Sequence, residues 1–202
     1  MRLLVATTNR HKLREIRAIM AGLDLEIEGL DAYPAIAEPE ETGATFDENA
    51  RQKAVYYSTR LGVPAVAEDS GLEIDGLGGE PGVHSARYGG PEAGTYDLKF
   101  ALVYRRLSER GALGSTARFV CALALADGDR ILYQSRGAIE GVIADGPRGD
   151  GGFGYDPIFF SPPHGRTLAE LTEDEKTQVS HRGQAFRRFR EALAAQPALV
   201  QR

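Results

Sequence analysis

Residues 119–126, Phe-Val-Cys-Ala-Leu-Ala-Leu-Ala, are apolar without a break, and Asp127-Gly128 follows at once. Eight residues suit a strand, and a strand apolar on both faces belongs in the middle of a sheet. Asp-Gly between two strand-like runs is a strong hairpin signal. It pairs a strand at about 117–126 with one at about 130–144. The chain must therefore supply further strands and enough helix to cover such a sheet.

The rest of the sequence supplies both. Residues 2–6 read as a short buried strand. Asn9 caps a helix over about 10–21, with Leu13, Ile16, Ile19 and Met20 at helical spacing and Gly22 as its stop. Residues 25–44 read as irregular and acidic, with Pro34 and Pro39 excluding a long helix. Thr45-Phe46-Asp47-Glu48 is a capping box, and Phe46, Ala50, Ala54, Tyr57 and Leu61 then form one apolar stripe. Residues 63–69 predict a strand ending at acidic residues. A Gly/Pro-rich loop over 76–94 precedes a third helix over 95–110. Phe153 to Phe160 predicts another strand. Capping boxes at Thr167 and Thr172 start short helical turns, and a last helix covers about 182–194. Helices and strands alternate around a central hairpin, which points to an α/β domain with a mixed sheet, 1–202 forming one domain.

Composition narrows the function classes. With 24 Lys and Arg against 29 Asp and Glu, the net charge is −5. A protein whose main task is gripping a nucleic-acid backbone shows a basic surplus. The apolar share of 42% and charged share of 26% are those of a soluble globular protein, not a disordered one. The apolar run at 119–126 falls far short of the roughly 18 residues of a membrane span. With Cys121 as the one cysteine, no internal disulfide or zinc cluster forms, which fits a reducing compartment and a cytoplasmic setting. Glycine is in excess, 24 of 202, and it clusters over 71–94 and 146–154. Such clusters serve either plain turns or ordered loops around a site.

Four segments carry candidate chemistry. In the first, a strand runs into Thr7-Thr8-Asn9 and then a helix with Lys12 and Glu15. A helix start favours an anion, and Lys12 lies one turn in. The same residues also describe a plain Asn-capped helix. In the second, Glu38, Glu40, Glu41 and Glu68-Asp69 precede Ser70-Gly71. A carboxylate from a loop and one from a strand end suit Mg²⁺, or else form solvated surface acid. Asp69, fed by the apolar run 64–67, is the stronger candidate and a possible general base. In the third, Gly151-Gly152-Phe153-Gly154-Tyr155-Asp156-Pro157 puts aromatic rings on a glycine loop, a wall for stacking a base or simply core. Its literal match to a dinucleotide motif is rejected, because it does not open a helix. The fourth sets Glu175-Lys176 near Ser180-His181-Arg182-Gly183, either recognition groups for an oxygen-rich ligand or an exposed helix start. No P-loop, nucleophile elbow or histidine metal spacing is present.

Taken in order, these segments resemble the inosine triphosphate pyrophosphatase family, the dITP/XTP pyrophosphatases of bacterial type. The matching stretches are 6–9 with Lys12 and Glu15; 40–43 with 45–46 and 48–50; 67–72; 81–88; 151–159; 171–172 with 175–176; and 180–183. The resemblance implies hydrolysis of ITP, dITP or XTP to the monophosphate and pyrophosphate, clearing damaged purines from the nucleotide pool. It implies an elongated two-lobed fold around a long mixed sheet with the site in the cleft, Mg²⁺ as cofactor, and a homodimer. It assigns Thr7, Thr8, Asn9 and Lys12 to the triphosphate, and Glu40 and Asp69 to the metal. Asp69 is also the proton acceptor, and Ser70 a substrate contact. Phe153, Gly154, Tyr155 and Asp156 form the base-binding segment, with Lys176, His181 and Arg182 beside the base. One departure stands out. The family often has Gly where this chain has Thr8, so a positive φ there would be costly; the loop is expected to accept it. The loop Gly78–Gly90 is open between shaping the cleft and a dimer contact.

Overall fold

The computed structural model describes residues 2–200. Its elements in order are β1 (Arg2–Val5), α1 (Arg10–Met20), β2 (Glu26–Gly29), α2 (Phe46–Leu61), β3 (Ala65–Ile74), α3 (Tyr96–Glu109), β4 (Thr116–Asp127), β5 (Arg130–Ile143), β6 (Phe159–Ser161), β7 (Arg166–Thr167), α4 (Glu173–Val179) and α5 (His181–Ala195), with short 3₁₀ turns between. The seven strands form one mixed sheet in the order β2-β1-β3-β4-β5-β6-β7. β1 runs parallel to β2 and β3, and β6 runs antiparallel to β5 and β7. By its contacts the chain divides into two compact units. One comprises 1–69, 121–137 and 181–202; the other comprises 70–120 and 138–180.

The first unit has its own core. β1 gives Leu3 and Val5, β3 gives Val66, and β4 gives Cys121, Leu123 and Leu125. These alternate residues share a face by the two-residue period of a strand. α1 covers that face with Leu13, Ile16 and Met20, and α5 with Phe186, Phe189 and Leu193. Each of the large buried side chains contributes about 1.5–3 kcal/mol relative to exposure. α2 begins at the expected N-cap, with Glu48 N–H donating to Thr45 Oγ1 at 3.2 Å. The expected capping box is only half formed, because the Glu48 carboxylate accepts from Ala44 N–H at 2.7 Å instead of Thr45 N–H. The helix ends at Gly62 in the left-handed conformation. Its buried Ser58 donates to Val63 O at 2.7 Å and accepts from Gly128 N–H at 2.8 Å. A hydroxyl within the helix thus ties the helix end to the hairpin turn.

The second unit packs α3 through Phe100, Val103 and Leu107 onto Leu72, Ile74, Phe119 and Ile139. Phe119 and Phe159 lie 4.8 Å apart between ring centroids. The loop over Gly78–Gly90 carries a 3₁₀ turn at Gly82–Arg87. Within it, Ser85 Oγ accepts from Leu72 N–H at 2.9 Å, and Ser85 O accepts from the Tyr155 hydroxyl at 3.0 Å. That loop therefore props the Phe153–Asp156 segment.

Three expectations are corrected. Residues 26–29, read as irregular, form a parallel strand beside β1; four residues of mixed polarity give no periodic signal. β3 does not stop at Asp69 but runs to Ile74, because Leu72 and Ile74 continue into the second core. The strand expected over 153–160 starts only at Phe159. Upstream, Gly152 and Gly154 hold positive φ, and Asp156 begins a 3₁₀ turn.

Gly137 explains how closely β5 passes the start of α5. A Cβ there would sit 2.1 Å from His181 O and 2.9 Å from Ala185 N. Backbone cannot yield that far. Gly137→Ala is expected to lower stability by about 2 kcal/mol, the scale of core overpacking, seen as a lower urea midpoint. An unchanged midpoint would mean this packing is looser than described.

Candidate active site

β3 places Glu68 and Asp69 side by side in the chain. Successive strand side chains point to opposite faces, so the two carboxyls enter different surroundings. Glu68 shares its face with Val66, under α1 and α5. Asp69 turns to the other face, toward α2.

Glu68 is the centre of a buried charge group. Its Oε1 accepts from Lys12 Nζ at 2.9 Å, from Arg182 Nη2 at 3.0 Å and from Arg182 Nε at 3.1 Å. Its Oε2 accepts from the Cys121 thiol at 3.0 Å. Arg182 Nη1 also donates to Glu15 Oε2 at 2.7 Å. Two cations thus meet two anions. Burial raises the Glu68 carboxyl, but Arg182 and Lys12 outweigh it and hold the group well below the ordinary carboxylate range. Burial and the adjacent Glu68 push the Cys121 thiol well above its ordinary value, so it serves as a donor, not a nucleophile. Arg182 is only 1% exposed.

Asp69 meets helix α2. Asn49 and Lys53 lie one turn apart on the same helical face. Asn49 Nδ2 donates to Asp69 Oδ2 at 3.0 Å, and Lys53 Nζ donates to Asp69 Oδ1 at 3.1 Å and to Glu41 Oε1 at 2.8 Å. Asn49 is itself fixed, accepting from Gly43 N–H at 2.8 Å. Burial raises the Asp69 carboxyl above its ordinary value despite the Lys53 ammonium and the Asn49 amide. Burial alone would lower Lys53, but Asp69 and Glu41 carry it above its ordinary value.

The first loop is organised by its own side chains. Asn9 Oδ1 accepts from His11 N–H at 2.9 Å and Lys12 N–H at 3.2 Å, and Thr7 Oγ1 accepts from Asn9 N–H at 3.1 Å. Two amides expected to face an anion are thus taken by the cap. Among the described residues no non-glycine has a positive φ, so Thr8 sits without strain. Its hydroxyl donates to Glu38 Oε1 at 3.0 Å.

The glycine-rich segment is built around Asp156. Its Oδ2 accepts from Phe153 N–H at 2.7 Å and from Lys176 Nζ at 2.7 Å. Lys176 Nζ lies 4.4 Å from the Phe153 ring centroid, a cation on an aromatic face. Gly152 permits this, since a Cβ there would meet Asp156 Oδ2 at 2.2 Å. Tyr155 is buried, Phe153 and Gly154 half-buried. Asp156 and Lys176 therefore hold the loop from beneath, at 3% and 5% exposure.

The structure brings together Lys12 with Glu68, and Phe153 and Lys176 with Asp156. Of the neighbouring acids it directs Glu41, not Glu40, toward Asp69 through Lys53; Glu40 is exposed. Ser70 follows Asp69 on β3, half-buried. His181 and Arg182, expected as an exposed helix start or as base contacts, are buried, and the Arg182 guanidinium is committed to Glu68 and Glu15. Among the described residues no group of three or more His, Cys, Asp or Glu forms a metal cluster. Asn49 and Lys53 were missed from sequence. Their signal was a polar pair four apart on an otherwise apolar helical stripe.

Glu68→Gln leaves Lys12 and Arg182 short of a counter-charge, and breaking such a pair costs about 3 kcal/mol or more. Because the folded-state value is depressed, Glu68 contributes stability above its ordinary 4.5, and this fades as pH falls toward the depressed value. Urea midpoints of the two proteins are expected to differ at neutral pH and to converge in acid. A constant gap across pH would remove Glu68 ionisation from the account.

The profile of the Ham1 family matches residues 3–192. A dITP/XTP pyrophosphatase of an Exiguobacterium species is 47% identical over 189 residues, covering 94% of this chain and 95% of the relative. A dITP/XTP pyrophosphatase of Thermus thermophilus is 45% identical over 197 residues, covering 98% and 94%. A solved HAM1 protein from Coxiella burnetii superposes with a TM-score of 0.90 at 38% identity, covering 96% of this chain and 99% of that one. On its sequence and its fold alike, this chain belongs to the Ham1 family.

Proposed function

We propose that this protein hydrolyses nonstandard purine nucleoside triphosphates, ITP, dITP and XTP, to the nucleoside monophosphate and pyrophosphate. The observation that carries the reading is the pair of adjacent carboxyls on β3, one held ionised against Lys12 and the other raised by burial beside Lys53. The names of the close relatives point to the same reaction.

Phosphoryl transfer rests on positioning and charge more than on covalent chemistry. Lys12, aimed by Glu68, meets the triphosphate together with Thr7, Thr8 and Asn9. Asp69, its carboxyl raised above the ordinary value by burial, orients the attacking water and takes its proton at a carboxylate oxygen. Lys53 keeps Asp69 and Glu41 converged until substrate arrives. Two oxygen ligands so directed are what Mg²⁺ accepts, so Asp69 with Glu41, and Glu40 as the resemblance implies, would hold it. When bound, the ion would neutralise charge on the phosphate oxygens. Phe153 and the Gly154 backbone take the base, with Lys176 and Asp156 fixing the loop. Ser70 and His181 are substrate contacts as the resemblance implies, while Tyr155 and Arg182 support the site from within, Tyr155 through Ser85 and Arg182 by anchoring Glu68. A homodimer in the cytoplasm, free of nucleic acid and membrane, is the setting that fits. Among the described residues no helix is long and apolar enough to cross a membrane.

The test supplies Mg²⁺ with ITP or ATP and assays pyrophosphate and orthophosphate separately. Pyrophosphate from ITP, with ATP nearly untouched, is expected. Orthophosphate would mean attack at the γ-phosphorus and would sink the reading. Asp69→Asn is expected to lower kcat by about 10²–10⁴-fold, the usual range for a lost general base. Lys12→Met is expected to raise KM, and EDTA to abolish turnover. Full activity in Asp69→Asn would remove Asp69 from the chemistry.

A further inference from the structure

Tyr96 opens α3 and is, with Leu98 and Leu113, one of the large hydrophobic side chains left well exposed among the described residues, at 39%. It is nevertheless firmly placed. Its ring stands edge-on to Tyr155, 5.4 Å between centroids at 89°, and tilts against Phe100 at 6.1 Å. The Lys99 ammonium lies 5.0 Å from its centroid. Lys99 is itself pinned, buried and donating to Ala93 O at 2.7 Å.

The hydroxyl of this fixed ring reaches the glycine loop. A Cβ built on Gly154 would stand 3.6 Å from Tyr96 Oη. Burial, with the Asp156 carboxylate second, raises the phenol above its ordinary value, so it keeps its proton. Tyr155 beside it uses its proton on Ser85 O. Among the described residues the Tyr96 hydroxyl has no hydrogen-bond partner. Packing on Tyr155 and Phe100 needs only the ring, so the protein makes no structural use of the oxygen.

We infer that Tyr96 is a specificity-determining contact for the base, its hydroxyl donating a hydrogen bond to an oxo oxygen of the bound purine. This rests on the assignment of the Phe153–Asp156 loop to base binding. An oxo oxygen can only accept, so the hydroxyl donates to it, whereas a ring carbon without that oxygen offers the hydroxyl nothing. A phenol hydroxyl can also accept, so the contact rewards an oxo purine over an unsubstituted one and does not by itself exclude an amino group.

The test compares wild type with Tyr96→Phe, which keeps the ring and loses the oxygen. Two substrates are used: ITP, and the triphosphate of unsubstituted purine riboside, which lacks the oxo group. Each is read as KM, or as an inhibition constant against ITP turnover. Tyr96→Phe is expected to raise KM for ITP about 3- to 10-fold, the value of one neutral hydrogen bond, and to leave the oxo-free value within about twofold. A purely structural role would move both alike, and that result overturns the inference. Phe153→Leu separates the two levels of failure. If it raises KM for ITP while Tyr96→Phe does not, the Tyr96 contact alone falls. If neither changes KM for ITP, the base assignment of the loop falls too.

Discussion

The buried carboxylate of Glu68 is the fixed point of the first unit. A charge at 5% exposure survives only when its lone pairs are met by well-placed donors. Here they come from α1, β4 and α5, as Lys12, Cys121 and Arg182. Arg182 then reaches back to Glu15 on α1. The partners lie 114 and 167 residues apart in sequence, so the group closes only when strand and helices are in place. Lys12, the cation assigned to the triphosphate, takes its position from that closure.

Asp69 owes its character to the same strand. A shift of one residue turns the side chain to the opposite face, away from two cations and toward α2. There it meets one ammonium shared with Glu41, and one amide. Burial then dominates, and its carboxyl rises while its neighbour's falls. Adjacent groups pushed in opposite directions are a recurrent way of dividing holding from proton transfer between two like residues. The glycine loop of the second unit repeats the economy on a smaller scale. One carboxylate, Asp156, caps the Phe153 amide and anchors the Lys176 cation under the Phe153 ring.

Much of this was legible in the chain. The apolar run 119–126 marked a central strand, the capping patterns at Thr45, Thr167 and Thr172 marked helix or 3₁₀ starts, and the segment 7–12, Asp69 and the glycine loop stood out as candidates. These are local signals: a strand or cap is decided by neighbours within a few residues. The strand over 26–29 was not legible, because its stability comes from pairing with β1 and not from its own pattern. The stop expected at Asp69 failed for a related reason. Two acidic residues look like a surface end, yet each is buried by a different partner.

Sequence by itself determined most of the element types, the candidate acids and bases, and the family to which they point. Tertiary structure decided how those groups are used. It sent Glu68 and Asp69 to opposite faces, chose Glu41 over Glu40 as the partner across Lys53, drew Asn49 and Lys53 into the site, and committed Arg182 to a buried ion pair. Each outcome depends on which charge lies within about 3 Å of which other. Chain order cannot state that distance, because strand alternation and helix packing set it only once the core has formed.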